Sequence, residues 1–379
     1  MASHGTADLP LHTGSAPRWL FDRMTELGGA IAELIVDEHG REALLRRLAD
    51  PYWFQAFGCV LGFDWHSSGV TTTTMGALKE ALSPQELGVT VVGGKGATSR
   101  ETPAELRETP LDVAGGTRES LVDASKLSAL VDSACVQDSY QLYHHTMVVA
   151  ESGAWCVVQQ GMNDSYARRY HWLSEDVSQF VVEPQSAICA QSDAAGVLDL
   201  SASASEPVRD VSLDLVQDDP AHLKEHLTHR DQRSLSQFGA GRDTGTGRDT
   251  TDPELHMPTR HELRLEDLSA RAIDQLETAY EYQPDDYEEL IALEGVGPQS
   301  LRALAMIGEL VYDAEASRED PAKYAYAHGG KDGTPHPVDR QRYDRSIKEV
   351  RRVLEGAEVD GDTKQSALDR LQELSDADG

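Results

Sequence analysis

Lysine is scarce in this chain: only eight of its 379 residues are Lys. Lys and Arg together number 34 against 65 Asp and Glu, for a formal net charge of −31. No broad basic surface is expected, and net charge of this sign says nothing about fold. Cysteine is scarce too. Cys59, Cys135, Cys156 and Cys189 are scattered, so neither a zinc knuckle nor a disulfide framework is implied, and buried free thiols are expected. No apolar run reaches membrane length, and the polar start MASHGTADLPLH lacks the hydrophobic stretch of a signal peptide. These absences predict a cytoplasmic protein with no membrane partner.

What is present suffices for two or three domains, since 39% of residues are hydrophobic and 26% charged. An acidic, Lys-poor but folded chain resembles the proteins of salt-accumulating halophiles. In molar salt the Debye length is about 3 Å, so surface carboxylates repel one another little. Counterion release also contributes little there, so the acidic balance does not exclude a nucleic-acid partner.

The pattern predicts an α+β protein: a mixed α/β domain followed by an all-helical one. APRWLFDRMTELGGAIAELIVDEHG has helical spacing after Pro17. SPQE (83–86) and TPAE (102–105) are capping boxes with Pro at the first helical position. LGVTVVGG is a strand, TMVVAESGAWCVVQQG a hairpin, SQFVVEPQSAI another strand and PVRDVSLDLVQDDPAHLKEHL a helix. Residues 231–255 are rich in Gly, Asp, Thr, Ser and Arg and repeat GRDT, which marks a linker or insert. The expected division is 1–229 for the α/β domain, 230–257 for the linker or insert, 258–355 for the helical domain and 356–379 for an acidic tail whose end, LQELSDADG, is expected to fray.

The stretch ALEGVGPQSLRAL (292–304) looks like a helix-hairpin-helix. In such motifs Gly295 and Gly297 let backbone amides approach a phosphate, Val296 anchors the turn, and the helix opening at Pro298, with Gln299 and Ser300 in its first turn, adds its positive end. Contacts of that kind position duplex DNA without reading bases and need little positive charge. The competing reading is ordinary helical punctuation. Downstream, YAYAHGGKDGTPHPVDRQRY is a dense Gly/Pro loop in which Lys331 and Arg340 could contact phosphate. It matches the loop of helix-hairpin-helix glycosylases only loosely, because the gap to Asp339 is long and Gln299 stands where a lysine often follows Gly-Pro.

A polar constellation marks the α/β domain. Asp64 and His66 crowd a turn in GFDWHSSGVTTTTMGALKEAL; Asp132, Asp138, His144 and His145 follow, then Gln159 and Gln160 on successive strand positions, then Arg168, Arg169 and His171. Asp64, His66, Asp138 and His144 could ligate a divalent cation, Mn²⁺ or Zn²⁺ in preference to Mg²⁺, with His145 and Gln160 completing a catalytic set for phosphodiester hydrolysis. A buried hydrogen-bond network is the competing reading. GVTVVGGKGATS fails as a Walker loop, since Gly96 follows Lys95 and the glycine spacing is one too long. Gly93, Gly94 and Lys95 could still hold an anion.

ADLPLH, APRWLFDRM, DPYWFQAFGCVLGFDWHSSG, GGKG, QLYHH, VVQQGMN, YARRYHWLS, LEGVGPQSLRALA and AHGGKDGTPHPVDR together resemble a mainly archaeal family catalogued as domain of unknown function number 763. The resemblance spans nearly the whole chain and carries over no activity. The leading expectation from the residues is a DNA repair or processing enzyme, a metal-dependent nuclease ahead of a glycosylase. The alternative is a non-enzymatic, structure-specific nucleic-acid binder.

Overall fold

Apolar residues at three- and four-residue steps give the first helix, α1 (Arg18–His39), which buries Met24, Leu27, Ile31 and Ile35. The structure, a computed structural model, describes residues 17–63, 68–82, 84–113, 118–164, 166–190, 196–218, 270–322, 324–325 and 340–376. α2 (Arg41–Ala49) and α3 (Pro51–Val60) follow. Asp50 caps α3, its Oδ1 accepting the Tyr52 and Trp53 amides at 2.9 and 3.2 Å, while Pro51 fills the first turn where no amide is needed. Every residue of α3 is buried. α4 (Gly69–Ala81) and the single turn α5 (Pro84–Leu87) lead to the first strand.

The sheet has the order β1-β3-β4-β5-β6-β8: β1 (Val89–Lys95), β3 (Gln141–Ala150), β4 (Trp155–Met162), β5 (Ala167–Leu173), β6 (Ala187–Ala190) and β8 (Tyr324–Ala325). All neighbours are antiparallel except β6 and β8. The expected β3–β4 hairpin forms, turning at residues 151–154. The strand expected over SQFVVEPQSAI begins only at Ala187; the residues before it turn, with Glu183 at φ 44°. Between β1 and β3 come α6 (Thr102–Glu108) and α7 (Arg118–Leu130), which continues into a π-turn, Val131–Cys135. β2 (Val136–Gln137) pairs with β7 (Leu198–Asp199) as a separate ribbon.

Register fixes which side chains share a face. Val89, Val91, Val148, Ala150, Cys156, Val158 and Leu173 alternate onto one face and join the core built by α1–α4. Toward the other end of the same strands that face turns polar: His144 lies opposite Gln160, and Gln160 opposite Arg169. The opposite face carries His145, Gln159, Tyr170 and Trp172, with α7 against it.

The chain divides into two compact units, residues 1–203 with 318–379, and residues 204–317. This differs from the boundaries expected at 229 and 258. α8 (Glu206–Gln217) groups with the helices that follow: α9 (Ala270–Tyr282), α10 (Tyr287–Ala292) and α11 (Pro298–Val311). α12 (Arg340–Gly356) and α13 (Gly361–Asp376) instead pack on α3, burying Val350, Val353, Leu354, Ala367 and Leu371 in the first core. The acidic tail is helical over 361–376, so the helix runs into the LQELSDADG end expected to fray; residues 377–379 lie outside the described residues. The expected linker at 230–257 lies outside the described residues. Among the described residues, no helix is long and apolar enough to cross a membrane.

Candidate functional site

Successive residues on a strand point to opposite faces, and this divides the predicted set. Gln160 reaches Ser68 at the start of α4, with His144 on the same face of the sheet; His145 faces α7. Asp64 and His66 lie outside the described residues. Among the described residues no group of three or more His, Cys, Asp or Glu is placed to hold a metal.

On the first face, Arg169 and His171 are fully buried. The Arg169 guanidinium sits 4.5 Å from the Phe54 ring and donates to Gln55 Oε1 at 3.0 Å and to His171 Nε2 at 2.8 Å. His171 Nδ1 in turn donates to the Leu48 carbonyl at 3.0 Å. Burial and the neighbouring Arg169 charge hold this imidazole neutral, well below its ordinary pKa. Gln160 Nε2 donates to the Ser68 carbonyl at 2.8 Å and to the Tyr143 hydroxyl, while its Oε1 is buried without a partner. His144 Nδ1 is likewise buried and unpartnered. Burial, His145 and Lys95 push the His144 pKa down to about 3. Lys95 lies at the exposed rim, 5.7 Å from the centre of the Tyr143 ring.

On the second face a chain of hydrogen bonds runs from helix to sheet. Gln159 Nε2 donates to Asp132 Oδ2 at 2.6 Å, so its Oε1 accepts from His145 Nδ1 at 2.9 Å. His145 Nε2 is then an acceptor, and Ser125 Oγ donates to it at 2.8 Å. That is the polarity of a serine–histidine nucleophile pair. Ser125, however, is buried within α7, and the chain pins that helix to the sheet. Burial pushes His145 down to about 4. Asp132 lies in the π-turn and also accepts from Trp172 Nε1 and Gln185 Nε2, both at 2.8 Å. Burial outweighs these donors and raises its pKa to about 8.

Asp138 does not join the histidines; it belongs to an ion cluster. Its Oδ2 takes Arg168 Nη1 and the Tyr170 hydroxyl, each at 2.8 Å, and Oδ1 takes the Tyr140 amide at 3.0 Å. Arg168 also makes a fork to Asp320 at 2.9 and 2.6 Å. A carboxylate neutralised by a buried guanidinium is a poor metal ligand, which removes Asp138 from the predicted set.

The anion loop is also corrected. The Gly93 amide donates to Glu105 Oε2 at 2.7 Å, and Lys79 Nζ bonds both the Gly93 carbonyl and the Glu105 carboxylate. The chain's own carboxylate occupies the amide expected for an external anion. Glu105 is thereby diverted from the capping box expected with Thr102, whose hydroxyl donates to the Ser99 carbonyl. Gly94 and Lys95 continue strand β1, opposite His145 and His144. Gly93 has φ 85°, and a Cβ there would lie 2.3 Å from the His145 carbonyl oxygen. Gly93→Ala is expected to cost at least about 2 kcal/mol, seen as a lower urea midpoint, since both backbone strain and overlap oppose it.

In the second unit, Asp286 caps α10 by accepting the Glu289 amide at 2.8 Å, and the Glu289 carboxylate accepts the Asp285 amide at 2.9 Å. The turn to α11 passes through Gly295 at φ 97°, a left-handed conformation suited to glycine. Val296 is buried; Gly295, Pro298 and Gln299 are exposed, Gly297 is half-buried, and Ser300 is buried. Space in front of Gly297 is open. Lys331 lies outside the described residues, and Arg340 is the first residue of α12.

Sequence reading missed Ser125, Gln55, Glu105 and Asp320 as partners of these groups. The period-two alternation of ARRYHWL could have sorted Arg169 and His171 from Arg168, Tyr170 and Trp172. Nothing local marks the distant partners.

No curated protein matches this chain, and no solved structure does. A family model, described as Protein of unknown function (DUF763), matches residues 5–338. That span reaches into both units and covers well over half of the chain, and the chain belongs to the DUF763 family.

Proposed function

We propose that this chain is a DNA-binding protein that holds the phosphate backbone through the α10–α11 hairpin, read as a helix-hairpin-helix. One observation carries the reading: an exposed turn with Gly295 in the left-handed region, its valine anchor buried, opening into a fourteen-residue helix with no atom crowding Gly297. The helix's positive end and the bare turn backbone suit a phosphate oxygen. Base sequence is not read by such contacts. Asp285, Asp286, Glu289 and Glu294 are exposed in the same hairpin. They repel DNA in dilute buffer, so the reading belongs to a protein adapted to molar salt.

A DNA repair or processing activity, nuclease ahead of glycosylase, is built on that grip. It is favoured by the buried, unpartnered His144 Nδ1 and Gln160 Oε1 on one face of the first unit. Asp138 takes no part in it. Purified protein with labelled single-stranded, duplex and branched DNA, with and without Mn²⁺, is the test. Gly297→Glu is expected to abolish duplex binding while circular dichroism and melting stay unchanged. Equal affinity in the folded variant refutes the hairpin. DNA bound but never cleaved, with any divalent metal, leaves the non-enzymatic binder.

A further inference from the structure

Residues 204–317 leave and rejoin the first unit at neighbouring points. The Ser317 amide donates to Ser205 Oγ at 2.8 Å, so the two ends of the second unit are held together. Adjoining ends are what lets one folded unit be inserted into a loop of another. Each side of the gap is anchored by partners within the first unit. Before it, the Leu200 amide donates to the Cys135 carbonyl at 2.9 Å and the Glu183 amide to the Ser201 carbonyl at 2.8 Å. After it, Asp320 takes the Arg168 fork and β8 pairs with β6. The apolar core that α1–α4 share with α12 and α13 contains no described residue of 204–317. The second unit has apolar packing of its own. Val208, Leu215, Leu276, Leu290, Leu301 and Leu304 are buried, and α8 packs on α9, α10 and α11. A Cβ at Gly308 of α11 would meet the Val211 side chain of α8 at 3.5 Å. Gln217 Nε2 ties the end of α8 to the Pro284 carbonyl at 2.8 Å. A unit with its own core and adjoining ends can open while the rest of the chain stays folded.

We propose that residues 204–317 form an inserted DNA-binding module that folds, and holds the phosphate backbone, whether or not the first unit is folded, and that the first unit likewise folds without it. The DNA part rests on the hairpin reading given above; the folding part does not. Grip and any chemistry in the first unit are then separable within one chain.

The test is hydrogen exchange of the full-length protein, read by mass spectrometry on peptides from 141–173 and from 287–311, with duplex affinity measured alongside. Leu304→Ala removes a fully buried side chain of the second unit. It is expected to speed exchange over 287–311 by at least about tenfold and to leave 141–173 unchanged. Arg168→Ala is expected to do the reverse, with duplex affinity within about twofold of wild type. Should Leu304→Ala unfold its own unit outright, the urea midpoint of the first unit, which holds Trp53, Trp155 and Trp172, still decides and is expected to be unchanged. Exchange that rises in both units with either variant overturns the proposal. So does duplex affinity lost in Arg168→Ala while 287–311 stays protected. A wild type that binds no DNA defeats the hairpin and the DNA part with it, and the exchange pattern then decides the folding part by itself.

Discussion

Arg168→Ala is expected to destabilise the first unit by about 3–5 kcal/mol. The guanidinium is fully buried and is the shared partner of Asp138 and Asp320, with the Tyr140 ring 4.6 Å from its carbon. Burial works against the Arg168 charge, but Asp138 and Asp320 outweigh it and hold the side chain protonated. Burial pushes the Asp138 carboxyl up, and Arg168 pulls it only partly back. Removing the cation leaves carboxylates in a site from which water is excluded, and that penalty exceeds anything the intact cluster contributed. Arg168→Lys keeps the charge but not the fork, so a smaller loss is expected. The four tryptophans among the described residues, Trp19, Trp53, Trp155 and Trp172, fall in the first unit, and the second unit's stretch of sequence, 204–317, contains no Trp. Tryptophan fluorescence during urea unfolding therefore reads this unit separately. A midpoint unchanged in Arg168→Ala would show that the cluster contributes nothing.

Stability of the same unit is expected to peak near pH 6.5 and to fall on both sides. On the acid side, His144, His145 and His171 have folded pKa values below the ordinary one, at about 3, about 4 and well below normal. Below about pH 6.5 the unfolded chain takes up protons that the folded chain refuses, so stability present above that pH is lost as pH falls. On the alkaline side, Asp132 keeps its proton to about 8 in the fold. The unfolded carboxyl ionises near pH 4, so the stability associated with this group is full at low pH and is lost as pH rises to about 8. Each unmatched proton changes stability by about 1.4 kcal/mol per pH unit. Asp138 and Asp199, whose carboxyls burial also pushes up, act in the same sense as Asp132 and add to the alkaline limb. Asp132→Asn is expected to flatten the alkaline limb, because the Gln185 amide can turn over to receive the new donor. His144→Gln is expected to reduce the acid limb. A profile flat from pH 4 to 8 contradicts the buried neutral imidazoles.

Elements with a repeating signal were legible in the sequence. The three-four spacing of Leu27, Ile31 and Ile35 gave α1, and the alternation around ESGA gave the β3–β4 hairpin. The Gly-Val-Gly-Pro turn between two helices is legible too, because a left-handed glycine and a buried valine are properties of adjacent residues. The grouping of polar residues was not legible. His144 and His145 are neighbours in sequence, and the strand sends them to opposite faces of the sheet. Asp138 resembles a ligand until Asp320, 182 residues later, is seen to share its arginine. Glu105 was assigned to a helix cap and serves Lys79 and Gly93 instead. Pairings across such sequence distances leave no local trace. The unit boundary moved for the same reason, since α12 and α13 return to α3 across the intervening helices.

Backbone amides, rather than basic side chains, are proposed to hold DNA on this acidic surface. Duplex affinity measured by fluorescence anisotropy from 0.1 to 2 M KCl tests it most directly. Proteins that neutralise phosphates with Lys and Arg lose affinity steeply as salt rises. Here the exposed carboxylates of the hairpin dominate in dilute salt and are screened when the Debye length falls to about 3 Å. Affinity is therefore expected to rise with KCl, and Gly297→Glu is expected to remove binding at every concentration. Affinity that falls with salt, or that survives Gly297→Glu, would show that the hairpin amides do not hold DNA.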